Sequence, residues 1–232
     1  MNYKNVITGI FRERKNRFIA TVEINGKEET CHVKNTGRLK ELFIPGVTVG
    51  LSVSDNPERK TKYDVISVLK GDEWINVDSQ APNMAAKEWI ENGGLGRAVV
   101  VKPEFSYTTS DRTEKARFDF YVEFENGEKA FVEVKGVTLK EKGVALFPDA
   151  PTERGVKHLN ALSDAVASGY KAYALFVIQM KGVHTFSPNI KTHLEFGNTL
   201  KKVSRNGVKI IAVDCISKVD YMKIDSEVKV KS

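Results

Sequence analysis

The stretch R-F-D-F-Y-V-E-F-E-N-G-E-K-A-F-V-E-V-K, from Arg117 to Lys135, decides the fold of this chain. Apolar and polar residues alternate on both sides of Glu125-Asn126-Gly127, which predicts two antiparallel strands joined by a tight turn. The even-numbered residues are apolar both from Phe118 to Phe124 and from Ala130 to Val134. Because side chains alternate between the two faces of a strand, these residues should share one face of a sheet.

The alternation also predicts the register of the two strands. A two-residue loop would place carboxylates opposite the phenylalanines, since opposed residues point to the same side of the sheet. A three-residue loop with Gly127 in the left-handed conformation pairs Phe124 with Glu128 and keeps the apolar residues together. This register places Asp119 opposite Glu133, with Lys135 roughly 6–7 Å further along the same face.

Two adjacent carboxylates beside an ammonium group predict a metal-dependent catalytic site. Neighbouring carboxylates repel, so one takes up a proton or both hold a cation. Asp119 and Glu133 would bind Mg²⁺ or Mn²⁺, because all-oxygen ligation suits hard divalent cations. The ion would polarise a phosphodiester, and Lys135 would position water or offset charge on phosphorus. The alternative is a solvated sheet face with a cross-strand Glu/Lys decoration.

Longer motifs support the catalytic interpretation. The segment F-V-E-V-K-G-V-T-L begins at Phe131, and F-P-D-A-P-T-E-R-G-V-K-H-L runs from Phe147 to Leu159. With V-K-N-T-G-R-L at Val33–Leu39, S-D-N at Ser54–Asn56 and N-V-D from Asn76, they give a chain that closely resembles the sugar fermentation stimulation protein A family of prokaryotes. The resemblance covers nearly the whole chain. It implies an OB-type barrel followed by a domain like the PD-(D/E)xK nucleases, DNA binding, and a regulatory role in sugar metabolism.

The order of elements agrees with two domains in an α/β chain. Short strands and turns from Val6 to about Trp74 predict a small barrel over residues 1–77. After a boundary near residue 78, the order helix, three strands, helix, strand, helix, strand predicts a mixed-sheet, nuclease-like domain over residues 78–232. We expect Asp78-Ser79 to cap the first of these helices, and Thr152 or Asp149 the second.

Two further glutamates are candidate metal ligands. The family pattern also has a glutamate at the position of Glu104, which makes this residue a possible outer ligand by resemblance. Glu88 lies in the helix before the sheet, and that helix often supplies an acidic residue in the nuclease-like fold. The alternative for Glu88 is a surface glutamate beside Lys87.

Basic residues in both domains are candidate contacts to nucleic acid. The polar turn after Val33 has backbone amides that could meet a phosphate, with basic side chains alongside. The basic side chains of the predicted helix after Pro151 lie away from its apolar face, where they could bind phosphate oxygens. The alternatives are a hairpin loop with solvated basic ends and an ordinary exposed helix face. The candidates are Lys34, Asn35, Arg38, Arg14, Arg17, Arg154, Lys157 and His158.

Composition permits a polyanionic partner and excludes several other classes. The net charge of +6 and the pI of about 9.1 are compatible with DNA, bound as a single strand or without sequence specificity. No apolar run reaches the length of a membrane span, so we expect a cytoplasmic protein. Cys31 and Cys215 are expected to be buried thiols. No phosphate-binding loop, dinucleotide fingerprint or zinc spacing occurs in the sequence.

Three functional hypotheses follow. The first is a DNA-binding protein with an Mg²⁺- or Mn²⁺-dependent phosphodiesterase site. The second is a non-catalytic DNA-binding regulator of sugar (maltose) metabolism genes. The third is a sugar-linked or protein-binding regulator whose barrel binds something other than DNA.

Overall fold

The structure is a computed structural model that describes residues 1–231. Its first six strands form one sheet with the order β3-β2-β1-β4-β5-β6. They are β1 (Val6–Arg14), β2 (Ile19–Ile24), β3 (Lys27–Val33), β4 (Thr48–Val53), β5 (Tyr63–Lys70) and β6 (Glu73–Asn76).

Five of these strands close into a barrel. Strand β1 pairs with both β2 and β4, and a parallel pairing of β3 with β5, from Cys31 opposite Tyr63 to Val33 opposite Val65, closes the circle. Side chains such as Phe11 and Leu51 fill the interior. This arrangement confirms the predicted OB-type barrel, to which β6 is added at the edge of β5.

A nine-stranded mixed sheet forms the rest of the chain, with the order β10-β11-β13-β15-β14-β12-β9-β8-β7. Helix α1 packs on one face, and α2 packs on the other together with α3. The elements are α1 (Ala81–Glu91), β7 (Ala98–Thr108), β8 (Lys115–Phe124), β9 (Lys129–Val137), β10 (Leu139–Glu141), β11 (Val144–Phe147), α2 (Glu153–Ala167), β12 (Lys171–Ile178), β13 (Thr185–Pro188), α3 (Leu194–Arg205), β14 (Lys209–Lys218) and β15 (Tyr221–Val230).

The predicted register of the central hairpin is confirmed. Phe120 lies opposite Val132, the Phe124 N–H donates to the Glu128 carbonyl (2.9 Å), and Gly127 has φ +80°. Both faces are covered, because the Phe120 face packs with α1 and Phe131 belongs to the core that contains α2. The alternative interpretation, in which the two carboxylates lie on a solvated face of the sheet, is therefore excluded.

Of the two predicted helix caps, the one at α2 is confirmed and the one at α1 is wrong. The Thr152 hydroxyl accepts the Gly155 N–H (3.1 Å) at the start of α2, as expected. Asp78 does not cap α1, which begins at Ala81 with Gln80 in the cap position. Its side chain is completely buried between the two domains instead.

A buried polar network joins the domains around Asp78. The Lys34 ammonium lies 2.8 Å from the Asp78 carboxylate. The Gln179 amide donates to the carbonyl oxygens of Asn76 (3.0 Å) and Asp78 (3.3 Å). These bonds fix the orientation of the barrel on the mixed sheet. Among residues 1–231, no helix is long and apolar enough to cross a membrane.

Candidate metal centre and nucleic-acid surface

Asp119 lies where β8 separates from β9. The register between these strands stops at the pair Phe120–Val132, and the Asp119 carboxylate accepts the N–H of Val134 (2.7 Å) beyond that point. Its second oxygen accepts a hydrogen bond from the Asn83 amide on α1 (2.8 Å). Both oxygens are therefore oriented, and each keeps a lone pair for a further partner. Sequence reasoning missed Asn83, because nothing in the pattern of α1 indicates which strand residue it meets.

Glu133 presents one engaged and one free carboxylate oxygen. Its Oε1 accepts from the Lys135 ammonium (2.5 Å) and hydrogen-bonds with the His158 ring on α2. Its Oε2 is buried and has no hydrogen-bond partner among residues 1–231, although Glu133 is only 3% exposed. A buried, ionised oxygen without a partner is costly, so a cation or a water molecule bound at this atom would be stabilising.

The pKa shifts of the two carboxyls show that they interact. Burial, followed by the charge of Glu133, raises the pKa of Asp119. Burial opposes ionisation of Glu133 as well, but the hydrogen bond from His158 and the charge of Lys135 outweigh it and hold its pKa below the usual range. The pair therefore carries one firmly ionised carboxylate and one whose charge is unfavourable without a cation nearby.

The donor set fits a hard divalent cation. Asp119 and Glu133 supply carboxylate oxygens from adjacent strands, and the free Glu133 Oε2 is the atom that such an ion would satisfy. Lys135 stays beside them with a partly exposed ammonium. The sequence thus identified a triad whose members the structure brings together, although the metal itself remains a prediction.

His158 has a different part from the predicted phosphate contact. Its Nδ1 faces the Glu133 carboxylate, and its Nε2 accepts a long hydrogen bond from Arg154 Nε (3.4 Å). Since Nε2 is an acceptor, Nδ1 carries the proton, and this N–H donates a hydrogen bond to Glu133. With both nitrogens engaged and the ring buried, His158 holds the carboxylate and does not face a phosphate. The neighbouring Arg154 and Lys157 are exposed, as predicted.

The two additional glutamates do not join Asp119 and Glu133. Glu104 is exposed on the edge strand β7, where its carboxylate lies 3.7 Å from the guanidinium of Arg117. The Glu88 carboxylate binds the amino group of Met1 at 2.8 Å. No described contact joins either side chain to the paired carboxylates, although the pairing of Pro103 with Phe120 and of Phe105 with Phe118 places Glu104 across from Asp119. A metal-ligand role for Glu104 and Glu88 stays a prediction.

A second acidic cluster, Glu153, His193 and Glu195, brings three ligand atoms within 4.8 Å of one another. However, His193 Nδ1 accepts the N–H of Thr152 (3.3 Å), so the neutral ring carries its proton on Nε2. That nitrogen is 3.3 Å from Glu153, as a donor would be. A metal ion at Nε2 would need the lone pair that the proton occupies, so we assign this cluster to the joining of α2 and α3.

The barrel loops divide the predicted basic residues into two groups. Arg14 donates to the backbone carbonyls of Gly37 (2.8 Å) and Asn35 (2.8 Å), and also to those of Arg17 and Arg38. Its terminal N–H groups are thus consumed in shaping the loops. Lys34 is held by Asp78, and Asn35 bridges Val77 and Gly37. Arg14, Lys34 and Asn35 thus have structural contacts within the protein, and their predicted phosphate contact stays a prediction.

Arg17 and Arg38 remain exposed on the surface, as the prediction requires. They line a pocket of about 220 Å³ together with Lys40. Sequence reasoning missed Lys40, although it stands two residues after Arg38. Among the phenylalanines of the barrel, Phe11 and Phe43 are buried and Phe18 is 49% exposed.

Comparison with known proteins identifies the family. The SfsA N-terminal OB domain matches residues 13–77, and the sugar fermentation stimulation protein RE domain matches residues 80–221. The chain belongs to the sugar fermentation stimulation protein family. A homolog from Desulfitobacterium hafniense is 56% identical over 231 residues, covering 100% of this chain and 98% of the relative. One from Ruminiclostridium cellulolyticum is 54% identical over 232 residues, covering 100% of both chains.

A solved structure of the same family supports the fold. It is the structure of Pyrococcus furiosus SfsA in complex with Ca²⁺, which matches with a TM-score of 0.87 and 26% sequence identity. The match covers 100% of this chain and 98% of the other. Members of the sugar fermentation stimulation protein family thus combine the barrel and the mixed sheet that the sequence predicted here.

Proposed function

We propose that the chain is a divalent-metal-dependent phosphodiesterase that binds and cleaves DNA. The observation that carries this proposal is the buried, unpartnered Oε2 of Glu133 beside the Asp119 carboxylate. Structural carboxylates normally have their oxygens hydrogen-bonded, so a free buried oxygen beside a second acid indicates a cation site. The Ca²⁺ named for the Pyrococcus furiosus relative supports a hard divalent ion, and Mg²⁺ or Mn²⁺ is the proposed cofactor.

Each residue of the site has a defined task. Asp119 and Glu133 would hold the ion, which when bound supplies positive charge that stabilises the transition state at phosphorus. Asn83 and the Val134 N–H orient Asp119, while His158 and Lys135 orient Glu133. Lys135 would also offset the charge that develops on the phosphate oxygens, because its ammonium is partly exposed at the site.

The test is a cleavage assay with labelled single- and double-stranded DNA in Mg²⁺, Mn²⁺, Ca²⁺ or EDTA. Wild-type protein should cleave in Mg²⁺ or Mn²⁺ and not in EDTA, and Asp119→Ala should abolish cleavage. Calorimetric titration of the ions should show one binding event that Asp119→Ala also removes. A matched control is Glu125→Gln, which changes an exposed carboxylate at the other end of the same hairpin.

The competing function is a non-catalytic DNA-binding regulator. The exposed cations of the barrel, Arg17, Arg38 and Lys40, favour it, because they can bind phosphates without any metal. Salt-sensitive DNA binding without cleavage under any metal condition would overturn the enzyme and support the regulator. Ion binding without cleavage would make the centre structural.

A further inference from the structure

One barrel loop carries an exposed aromatic ring where OB folds bind their ligands. Residues 15–18 join β1 to β2, and Phe18 at the end of this loop is 49% exposed. The loop is fixed, because Asn16 Oδ1 accepts the N–H groups of Phe18 (2.9 Å) and Ile19 (3.0 Å). In OB folds the loop between the first two strands contributes to oligonucleotide binding. An exposed ring held by a rigid loop is a platform on which a base can stack.

Three cations share a pocket that includes Arg17, the residue before Phe18. Arg17, Arg38 and Lys40 line the pocket of about 220 Å³, and none of them has a carboxylate within 4.0 Å in the part of the chain that the structure describes. Other basic side chains on the same barrel are paired with carboxylates: Arg12 with Glu23, and Arg59 with Asp64. Uncompensated positive charge is therefore concentrated in the pocket lined by Arg17, which precedes Phe18 in the chain.

Arg14 prepares this surface. Its guanidinium binds the carbonyls of Arg17 and Arg38, which belong to two different loops, and so ties these loops together. The bonds also occupy carbonyl oxygens that would otherwise repel a phosphate. The cationic side chains are thus presented on a preorganised backbone, which lowers the entropy cost of binding.

Arg17 connects this pocket to the catalytic domain. It also lines a cleft of about 340 Å³ between the domains, whose opposite wall includes Gly136 and Thr138. Gly136 follows Lys135 directly along β9, and Thr138 comes just after that strand ends. A chain of phosphates that lies on Arg17 can therefore continue toward the paired carboxylates.

We propose that this surface, formed by Phe18, Arg17, Arg38 and Lys40, binds a single strand of nucleic acid and directs it through the cleft to the metal centre. Stacking on Phe18 requires an unpaired base, because the faces of bases in a duplex are covered by their neighbours. The cleft is also far smaller than a double helix. The inference rests on the nucleic-acid binding of the proposed function, and only the delivery of the strand to the site depends on the proposed cleavage.

The experiment measures fluorescence anisotropy of labelled oligo-dT, oligo-U and a DNA duplex in EDTA, so that no cleavage occurs. We expect the single strands to bind at least tenfold more tightly than the duplex. Phe18→Ala should weaken single-strand binding about 5- to 160-fold, the range for loss of one stacked base, and Phe18→Trp should restore it. The dT and U arms distinguish a DNA strand from an RNA strand.

The charge contribution has its own matched pair of variants. Arg17→Ala/Lys40→Ala should weaken binding and reduce the slope of log affinity against log salt by about 1.4, at about 0.7 per lost phosphate contact. Lys27→Ala/Lys70→Ala removes two exposed lysines elsewhere on the barrel and should leave both quantities unchanged. Circular dichroism checks that each variant folds.

Two results would overturn the inference: duplex binding as tight as single-strand binding, or Phe18→Ala binding like wild type. Asp119→Ala should bind single strands normally, because it leaves the barrel intact. If DNA is bound in this way but never cut, the proposed enzyme fails while the strand-binding surface stands. If cleavage occurs and Phe18→Ala cuts single strands at the wild-type rate at limiting substrate, the delivery path is wrong.

Discussion

At the scale of the residue, the two oxygens of Glu133 have divided tasks. Both donors, Lys135 and His158, bind Oε1, so that Oε2 is held in place without being consumed. Second partners of this kind commonly tune metal affinity, because they fix the orientation of the ligand. His158 is accordingly a positioning residue for the proposed ion.

His158→Ala should therefore weaken Mg²⁺ or Mn²⁺ binding about 10- to 100-fold. His158→Asn, which keeps a short N–H donor near the place of Nδ1, should recover part of the loss. Titration calorimetry measures both effects without any substrate. Equal affinities for wild type and His158→Ala would show that Lys135 alone orients Glu133.

The raised pKa of Asp119 predicts a pH dependence of stability. Because burial and Glu133 raise this pKa above its ordinary 3.8, the folded chain binds its proton more tightly than the unfolded chain does. The contribution of Asp119 to the free energy of unfolding therefore falls as the pH rises from 3.8 through the folded pKa. Urea denaturation over this range should show a steeper decline for wild type than for Asp119→Asn. Adding Mg²⁺ above this range should restore stability to wild type only.

At the scale of the element, α2 connects the carboxylates to the rest of the fold. Its start is fixed by Thr152, and further along the helix the His158 ring meets the Glu133 carboxylate of β9. Thr152→Ala should lower the free energy of unfolding by about 1 kcal/mol, since the Gly155 N–H loses its acceptor. Thr152→Ser keeps the hydroxyl and should be nearly neutral in urea denaturation. A cost for the serine variant as large as that for alanine would assign the loss to the methyl group.

The sequence predicts elements better than it predicts their partners. Alternation and the Asn126-Gly127 turn were sufficient for the register that sets Glu133 beside β8, because both are local signals. No local signal indicates that β15 lies between β13 and β14, since its place depends on pairing with distant strands. For the same reason the sequence could not show that Arg14 binds carbonyls or that His158 binds Glu133.

At the scale of the whole molecule, the Lys34–Asp78 pair holds two domains together. Asp78 is completely buried, so Lys34→Met leaves an uncompensated carboxylate and should cost about 3–5 kcal/mol of stability. The double variant Lys34→Met/Asp78→Asn should lose much less, because no charge stays buried. Urea denaturation of wild type, Lys34→Met, Asp78→Asn and the double variant gives the coupling energy between the two side chains. A double variant no better than Lys34→Met would place the cost in the lost packing of the lysine stem.

This firm union of barrel and sheet has a geometric consequence. Gln179 and Lys34 make hydrogen bonds at the junction between the barrel and the mixed sheet. The distance from Phe18 to the Asp119–Glu133 centre is therefore set by the folded protein and not by a flexible linker. On the proposed path, this fixed span would set the shortest strand that reaches the metal centre from Phe18. Oligonucleotides shorter than the span would bind yet escape cutting, and the fragments left from longer ones would share a common minimum length.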